Sequence, residues 1–374
     1  MLSKKFPLAA VAVSVAVALA LTGCGSNSST SSSGSSHAAS SGASGGTSGT
    51  GAGDPPSGGS GTYASVPSGT VLNVGDQDQN EETLFKVSGV EAKLPFKINW
   101  VEFADGPLVD AGFAAHKLDI GSMGDMPAAL TVSSKLNLRV VALTKAVGHA
   151  PDEFFIAKPG IKSIAALRGK TVAYTTGTHE SAFALESLAE GGLNQSDIHQ
   201  ADVTLQQLYT VLEAGKVDAA VIDGVPDEAT YMKDHPGAKI LETNLTARPM
   251  SYGYTLANTA ALDNPAKLAA IKDWVKAAIL AGNWAYHHAK QWAVDYNEDI
   301  EDETPSQALL GMRAAVNQLY VPASTTISSA EQNVVDLEVQ AGAFKKKYSI
   351  ASLYTDKSWL KDYAQILKEV KQSA

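Results

Sequence analysis

The sequence predicts an α/β protein whose folded part consists of two similar lobes. Before about residue 260, short apolar segments alternate with helical segments, which is typical of mostly parallel sheets covered by helices. A pattern also recurs along the chain. Lys117-Leu-Asp119 runs through an apolar segment to Gly124-Asp125-Met-Pro127, and Lys216-Val-Asp218 runs in the same way to Asp223-Gly224-Val-Pro226. The repeat is either two equivalent lobes or a coincidence between two common strand–turn–helix units, and its shared order favours two lobes.

Apolar runs and capping residues predict the individual elements in chain order. Helices are expected where a capping residue or an early proline precedes an amphipathic segment, as at Asp105 with Pro107, at Thr204 with Gln207, and at Pro265. The predicted strands are 71–75, 96–103, 117–121, 138–144, 154–157, 170–174 and 217–222. The predicted helices start at 105 and 125 and then cover 164–167, 179–190, 204–215, 265–287, 305–320, 329–346 and 357–371.

The N-terminus has the features of an export signal. Lys4 and Lys5 precede an apolar run of 16 residues, 6–21, which is shorter than the ~20 residues of a membrane span. Leu21-Thr22-Gly23-Cys24 resembles the lipobox of bacterial lipoproteins, in which the Cys carries the lipid. Residues 1–23 are therefore expected to be a lipoprotein signal peptide and Cys24 the lipid attachment site. An ordinary signal peptide with a chance Cys is the alternative.

A linker is predicted between Cys24 and the folded part. In residues 25–61, 28 of 37 positions are Ser, Gly or Thr. Such a tract buries too little apolar surface to offset its chain entropy. Its root-mean-square length is about 30–36 Å, so residues 24–61 are expected to tether a mobile body to a membrane.

Composition and motifs exclude several classes of protein. The chain has 29 basic and 39 acidic residues, and a net charge of −10 disfavours binding to nucleic acid. Its single Cys excludes a disulfide framework and a Cys-based zinc site. The sequence has no nucleotide-binding or hydrolase motif. The segment from Asp76 begins like a calcium loop, but it has Glu81 where the loop needs Gly and Val87 where the loop needs Glu. No cofactor, metal or catalytic pair is therefore predicted.

Helix N-termini that follow strands are the candidate binding elements. Each presents unpaired backbone N–H groups and the positive end of the helix dipole, which together bind anions. For any one of these helix starts taken alone, plain helix capping is the favoured interpretation. Because open α/β sheets bind ligands at the carboxyl ends of their strands, the four starts together predict a cleft. They are 105–107, 124–126, 176–181 and 223–226.

A family resemblance covers about residues 70–260. Its motifs are Phe103-Ala-Asp-Gly106-Pro107, Lys117-Leu-Asp119-Ile-Gly121, Gly124-Asp125-Met-Pro127, Ile164-Ala-Ala-Leu167-Arg-Gly169-Lys170, Gly177-Thr178 and Gly215-Lys-Val-Asp218-Ala219. In this order they resemble solute-binding lipoproteins of ABC importers, specifically the aliphatic sulfonate, taurine and nitrate group. The resemblance implies a type II periplasmic-binding-protein-like fold, with two α/β lobes, a hinge and an interlobe cleft. It also implies a monomer, lipid-anchored at the outer face of the cytoplasmic membrane, that delivers a small-molecule ligand to an ABC permease and its ATPase.

The resemblance also implies lobe boundaries and ligand contacts. Lobe one is expected at 62–148 and 251–374, and lobe two at 149–250. Backbone N–H groups and His179 are expected to bind anionic parts of a ligand, whereas Asp125 or Asp223 binds a cationic part. The full set of expected contacts is Asp76, Gln77, Phe103, Gly106, Met123, Gly124, Asp125, Thr176, Gly177, Thr178, His179, Asp223 and Tyr252.

Acidic residues in the predicted turns bear on the ligand and on the alternatives. Carboxylates repel a bare sulfonate or nitrate, so they favour a ligand with an amine or many hydroxyls. An enzyme on the same fold remains an alternative. Its desulfinase branch needs a Cys in the cleft, and its pyrimidine-forming branch needs a Lys and clustered His, for which Lys145 and His149 are the candidates. A tethered sensor without transport is the third possibility.

Overall fold

The computed structural model describes most of residues 65–370. The predicted leader, Cys24, the linker and both predicted lobe crossings, near 147–149 and 248–250, lie outside the described residues. The described residues are 65–146, 153–243, 252–300, 318–324 and 346–370, with shorter stretches between 304 and 339.

Strands and helices alternate along these residues. The strands are β1 (Val71–Gln77), β2 (Lys97–Phe103), β3 (Ile120–Met123), β4 (Leu138–Ala146), β5 (Glu153–Ala157), β6 (Thr171–Ala173), β7 (His199–Ala201), β8 (Ala219–Asp223), β9 (Lys239–Ile240), β10 (Tyr252–Asn258) and β11 (Gln318–Tyr320). The helices are α1 (Asn80–Val87), α2 (Gly106–Ala114), α3 (Asp125–Ser133), α4 (His179–Glu190), α5 (Leu205–Glu213), α6 (Val225–Asp234), α7 (Thr259–Leu262), α8 (Pro265–His287), α9 (Ala289–Trp292) and α10 (Lys357–Glu369). A π-helix, Ala293–Glu298, follows α9, and short 3-10 helices cover Glu91–Lys93, Ile164–Leu167, Gln195–Asp197 and Ile350–Tyr354.

The strands form two sheets of matching topology, which confirms the predicted α/β class with two lobes. The six-stranded sheet of the large lobe has the order β11-β4-β10-β3-β1-β2, and the five-stranded sheet of the small lobe has the order β7-β6-β8-β5-β9. In each sheet a central strand, β1 or β6, runs parallel to both neighbours. Two positions further along each sheet, β10 or β5 is antiparallel to both of its neighbours. The lobe boundaries expected from the sequence remain a prediction.

The repeated motif forms the same hydrogen bonds in both lobes. In the large lobe the Asp119 N–H donates to Asn73 O at 2.9 Å, and the Asn73 N–H donates to the Asp119 carboxylate at 2.9 Å. In the small lobe the Asp218 N–H donates to Thr171 O at 2.8 Å, and the Thr171 N–H donates to the Asp218 carboxylate at 3.0 Å. Each aspartate thus joins two parallel strands at their starts, so the repeat reflects equivalent structure.

Several aromatic side chains pack within the mainly aliphatic core of the large lobe. Phe85 stacks on Trp274 with ring centroids 5.4 Å apart and meets the edge of Trp100 at 5.4 Å. From α10, the Trp359 indole N–H donates to Val141 O at 3.0 Å and the Tyr363 hydroxyl donates to Leu143 O at 3.2 Å. Burying one large apolar side chain stabilises a fold by ~1.5–3 kcal/mol, so these contacts hold the C-terminal helix firmly against β4.

Close packing explains two glycines of the family motifs. A Cβ on Gly106 would lie 2.3 Å from Cγ of Pro127, so the turns of the two Gly-containing motifs pack directly on each other. A Cβ on Gly121 would lie 2.8 Å from Cγ1 of Val109, which lets α2 approach β3 closely. These motif positions therefore fix the spacing of the elements that carry the turns.

Several elements differ from the sequence-based expectation. Residues 318–320, predicted as the end of a helix, form β11 and pair with the edge of β4, because tertiary pairing outweighs local helix propensity. Helix α1 was not predicted. The residue that precedes it, Gln79, has a left-handed backbone conformation, and its side chain does not cap the helix. Strand β10, also not predicted, lies between β3 and β4. Within the described ranges, no helix has the length and apolar character needed to cross a membrane.

Candidate functional site between the lobes

The N-termini of α3 and α4 bring the two lobes together. Gly124 precedes α3 in the large lobe and Thr178 precedes α4 in the small lobe. A Cβ on Gly124 would lie 4.0 Å from Cβ of His179. Gly177, whose φ of +82° suits glycine, approaches so closely that a Cβ there would lie 3.0 Å from Leu130 of α3. Two predicted turns, one from each lobe, therefore lie in contact.

His179 joins the lobes through both ring nitrogens. Its Nδ1 lies 2.9 Å from Oδ1 of Asp125 in the large lobe, and its Nε2 lies 3.2 Å from Oε2 of Glu153 in the small lobe. The three side chains are mostly shielded, with exposed fractions of 18% for His179, 2% for Asp125 and 10% for Glu153. We call these three residues the interlobe triad.

The charges of the interlobe triad favour a protonated imidazole. Burial opposes the charge on His179, but the adjacent carboxylates of Glu153 and Asp125 outweigh it and raise its pKa well above the ordinary value. Glu180, the next residue along α4, is also buried, and burial together with Glu153 raises its pKa. A cation between two carboxylates therefore occupies the contact between the lobes.

At two of the four helix starts predicted to bind anions, a protein carboxylate accepts a backbone N–H group. Asp125 accepts the N–H of Met126 at 2.7 Å at the start of α3, and Asp105 accepts the N–H of Leu108 at 2.9 Å at the start of α2. Because these carboxylates already face the positive helix ends, these two helix starts resemble the plain-capping alternative. An anionic group at this junction has His179 as its main positive partner.

Asp76 and Gln77 make contacts within the large lobe. The Asp76 carboxylate accepts N–H groups of Gln77, Glu81 and Glu82 at 2.8–3.0 Å, so it caps α1. Burial raises the pKa of Asp76 to about 7 in spite of these bonds. The Gln77 side-chain amide donates to Ser122 O at 2.8 Å and ties β1 to β3.

Thr176 and Thr178 bond within the small lobe. The Thr176 N–H donates to Asp202 at 2.9 Å, and its hydroxyl accepts from Gln200 at 2.8 Å. The Thr178 hydroxyl donates to Thr175 O at 2.8 Å. These bonds hold the turn before α4 in place, and ligand contact by either threonine remains a prediction.

The remaining predicted contacts are apolar or at strand ends. Phe103 packs near Gly75 and Gly112, and Met123 is buried in the core. Tyr252 begins β10, where its ring centroid lies 5.9 Å from Nζ of Lys145. Asp223 ends β8 with its backbone paired to Glu153. His149, the candidate partner of Lys145, lies outside the described residues.

Sequence reasoning missed two residues of the junction. Glu153 is the first residue of the apolar strand β5, and a single acidic residue at that position does not indicate a contact with His179. Gln206, in the first turn of α5, donates to Oδ1 of Asp78 at 2.8 Å and to Ala104 O at 2.9 Å, so it makes a second contact between the lobes. Gln206 lies between Thr204 and Gln207 of the predicted capping motif, and that motif does not indicate a contact with the other lobe.

The fold and the junction define a class of protein, the two-lobed periplasmic binding-protein fold. The family model described as NMT1/THI5 like matches residues 97–291, and the chain belongs to that family. A Bacillus subtilis (strain 168) protein named as an aliphatic sulfonates-binding protein is 24% identical over 273 residues, covering 72% of this chain and 79% of that protein.

Solved structures share the fold at low identity. The alkanesulfonate-binding protein SsuA from Xanthomonas axonopodis pv. citri, bound to MOPS, superposes with a TM-score of 0.67 and 20% identity, covering 78% of this chain and all but 1% of its own. The desulfurization enzyme DSZB superposes with a TM-score of 0.54 and 12% identity, covering 79% of this chain and 99% of its own. The fold therefore occurs in binding proteins and in an enzyme.

Proposed function

We propose that the chain is the extracytoplasmic solute-binding component of an ABC importer and captures a small polar ligand between its lobes. One observation carries the proposal: turns at strand ends of both lobes meet, with Asp125 and His179 within hydrogen-bond distance. Ligands of open α/β sheets bind at such strand ends. Membership of the NMT1/THI5-like family and the names of the relatives support the same function.

The interlobe triad favours a zwitterionic ligand such as taurine. The names of the relatives point to sulfonates, and the imidazolium of His179 supplies a partner for a sulfonate. Asp125 and Glu153 place two carboxylates beside it, which suit an ammonium group. A ligand with both groups would exchange partners with the triad, whereas nitrate or a simple alkanesulfonate would leave the carboxylates unmatched. We therefore expect taurine to bind more tightly than either.

Binding is proposed to occur without catalysis. In the resembling desulfinases a Cys in the cleft is the nucleophile, but the only Cys of this chain is Cys24, which precedes the folded part. The triad instead offers charged groups that can hold a ligand and join the lobes by a hinge motion.

The proposal includes a lipid anchor and transport partners. Cys24 would carry the lipid, and residues 24–61 would let a monomeric body reach an ABC permease and its ATPase. Replacement of Cys24 by Ser should move the exported protein from the membrane fraction to the soluble fraction. Retention of the variant in the membrane fraction would contradict lipid anchoring through Cys24.

Calorimetric titration and thermal unfolding with taurine, ethanesulfonate and nitrate test the ligand. Ligand at 100 times its Kd should stabilise the folded protein by about 2.7 kcal/mol and raise Tm. Asp125→Asn should weaken taurine binding at least tenfold. The matched control, Glu82→Gln, changes a carboxylate paired with Lys86 on α1 and should bind taurine normally. Absence of binding by all three solutes at millimolar concentration would contradict the proposed ligand class.

A further inference from the structure

A cavity inside the large lobe is separate from the interlobe triad. Its volume is about 270 Å³, and an apolar cavity of ~150 Å³ is enough to take up benzene in another protein. Those of its lining residues that the structure describes all belong to the large lobe, so a ligand there need not contact the small lobe. They come from α1, β4, α8, α9 and β11, and are Asn80, Glu81, Leu84, Phe85, Thr144, Ala278, Gly282, Ala285, Trp292 and Tyr320.

One side of the cavity is aromatic and apolar. Trp292 is buried and stacks on Tyr296, with ring centroids 4.9 Å apart and planes 2° from parallel. Trp292 lies directly before the π-helix Ala293–Glu298, a rare conformation that is frequent at functional sites. From α8, Ala278, Gly282 and Ala285 contribute small side chains, which leave the space open.

The other side contains a carboxyl group that is only partly satisfied. Oε1 of Glu81 accepts the hydroxyl of Ser122 at 2.8 Å. Oε2 is shielded from solvent and has no hydrogen-bond partner among the described residues. A buried acceptor without a partner costs ~1–3 kcal/mol, and more when it is charged. Buried polar groups are normally paired, and a cationic ligand would give this oxygen a partner.

The charged and titratable groups facing Glu81 would attract a cation. Asp76 from β1 and Glu102 from β2 are acidic, and Tyr320 from β11 presents a buried phenol. Helix α8 adds no charge at the cavity wall. An ammonium group would gain from this field, and an aromatic face such as Trp292 adds a further attraction for cations.

We propose that this cavity binds a small organic cation, an ammonium group on an apolar body, with Glu81 as its counter-ion and Trp292 as its aromatic wall. The carboxyl end of the cavity takes the ammonium group, and the apolar wall of α1 and α8 takes the hydrocarbon. This site does not depend on the proposed ligand of the interlobe triad.

The pH dependence of binding follows from the empty cavity. Burial, followed by the charge of Asp76, raises the pKa of Glu81 to about 8. Near neutral pH the empty cavity therefore holds a largely protonated Glu81, and binding of a cation releases its proton. As pH increases toward about pH 8, the affinity for the cation should rise by up to tenfold per pH unit. Above about pH 8 the affinity should level off.

Calorimetric titration of the purified protein with 2-phenylethylammonium tests the site. We expect one molecule to bind, and 3-phenylpropanoate, an anion of similar size, not to bind. Glu81→Gln should lower the affinity for the cation at least tenfold, whereas the neighbouring Glu82→Gln should not change it. Thermal unfolding of each variant shows that it is folded.

A second variant separates cavity binding from surface binding. A Cβ on Gly282 would have only Tyr320, 4.0 Å away, as its nearest neighbour, so Gly282→Leu can fill the cavity without a backbone clash. It should abolish binding of the cation. Absence of cation binding to the wild-type protein at millimolar concentration, or unchanged affinity in Glu81→Gln or Gly282→Leu, would overturn the proposal.

Discussion

The two lobes share a framework and differ in what surrounds it. Both have a central parallel strand joined to its neighbour by an aspartate, Asp119 in the large lobe and Asp218 in the small lobe. The large lobe adds α8, α9, the π-helix and α10, and two of these additions, α8 and α9, line part of its cavity. The framework therefore sets where the turns lie, whereas the turn residues and the added helices set the chemistry available to a ligand.

A steric change at the motif contact should have the largest effect on the large lobe. In Gly106→Val the new Cβ would overlap Pro127, so we expect a loss of about 3 kcal/mol in the free energy of unfolding. Gly282→Ala is the matched control, because its Cβ meets nothing closer than 4.0 Å and Ala favours a helix. Urea unfolding measures both. Equal stability of the two variants would show that the motif contact is not tightly packed.

Asparagine at the two equivalent aspartates should distinguish the lobes. Asp119 also forms an ion pair with Lys267 at 2.6 Å and has a side chain only 10% exposed. Asp218 is 35% exposed and lies 3.9 Å from Lys158. We therefore expect Asp119→Asn to cost about 2 kcal/mol and Asp218→Asn about 1 kcal/mol or less, measured by urea unfolding. A larger loss for Asp218→Asn would contradict this ranking.

His179 should make the contact between the lobes depend on pH. Because its pKa in the folded protein is raised well above its unfolded value of ~6.5, its contribution is complete below about pH 6.5. The contribution is lost as pH rises through the folded value. His179→Gln should lower the free energy of unfolding by about 1–2 kcal/mol. The loss is limited because the lobes of the variant can open, which lets the carboxylates of Asp125 and Glu153 regain water.

Urea unfolding of the wild type and His179→Gln between pH 5.5 and pH 9.5 measures this effect. The difference in unfolding free energy should be largest at the acidic end and decrease toward the alkaline end. A difference that is constant over this range would show that His179 carries no charge in the interlobe contact.

Replacement of Glu81 should have an effect of opposite sign. Its pKa in the folded protein is raised to about 8, so ionisation of the carboxyl opposes folding increasingly between about pH 4.5 and pH 8. Glu81→Gln should raise Tm at pH 8.5 and change it little at pH 4.5. Glu82→Gln serves as the control. A lower Tm of Glu81→Gln at pH 8.5 would show that the carboxyl stabilises the empty cavity.

Elements with local signals were predictable from the sequence. The start of α8 was placed correctly from Pro265, which fits its first turn, and α2 was found from Asp105 and Pro107 in the same way. Strand β11 was missed because its partner, β4, lies far away in the sequence. Local pattern cannot reveal such pairing.

The candidate site shows the same limit. Asp125 and His179 were both selected from their places at helix starts, one for cations and one for anions. Their mutual contact depends on how the lobes meet, and neither turn contains that information. Glu153 was missed for the same reason, since its role comes only from the position of His179.

Calorimetric titration of taurine into the wild type and Asp125→Asn tests the central claim, a solute site at the interlobe triad, most directly. The account predicts that one taurine binds to the wild type and that Asp125→Asn weakens binding at least tenfold. Binding of equal affinity in both proteins would contradict a site at the triad, and absence of binding to the wild type at millimolar concentration would contradict the proposed ligand.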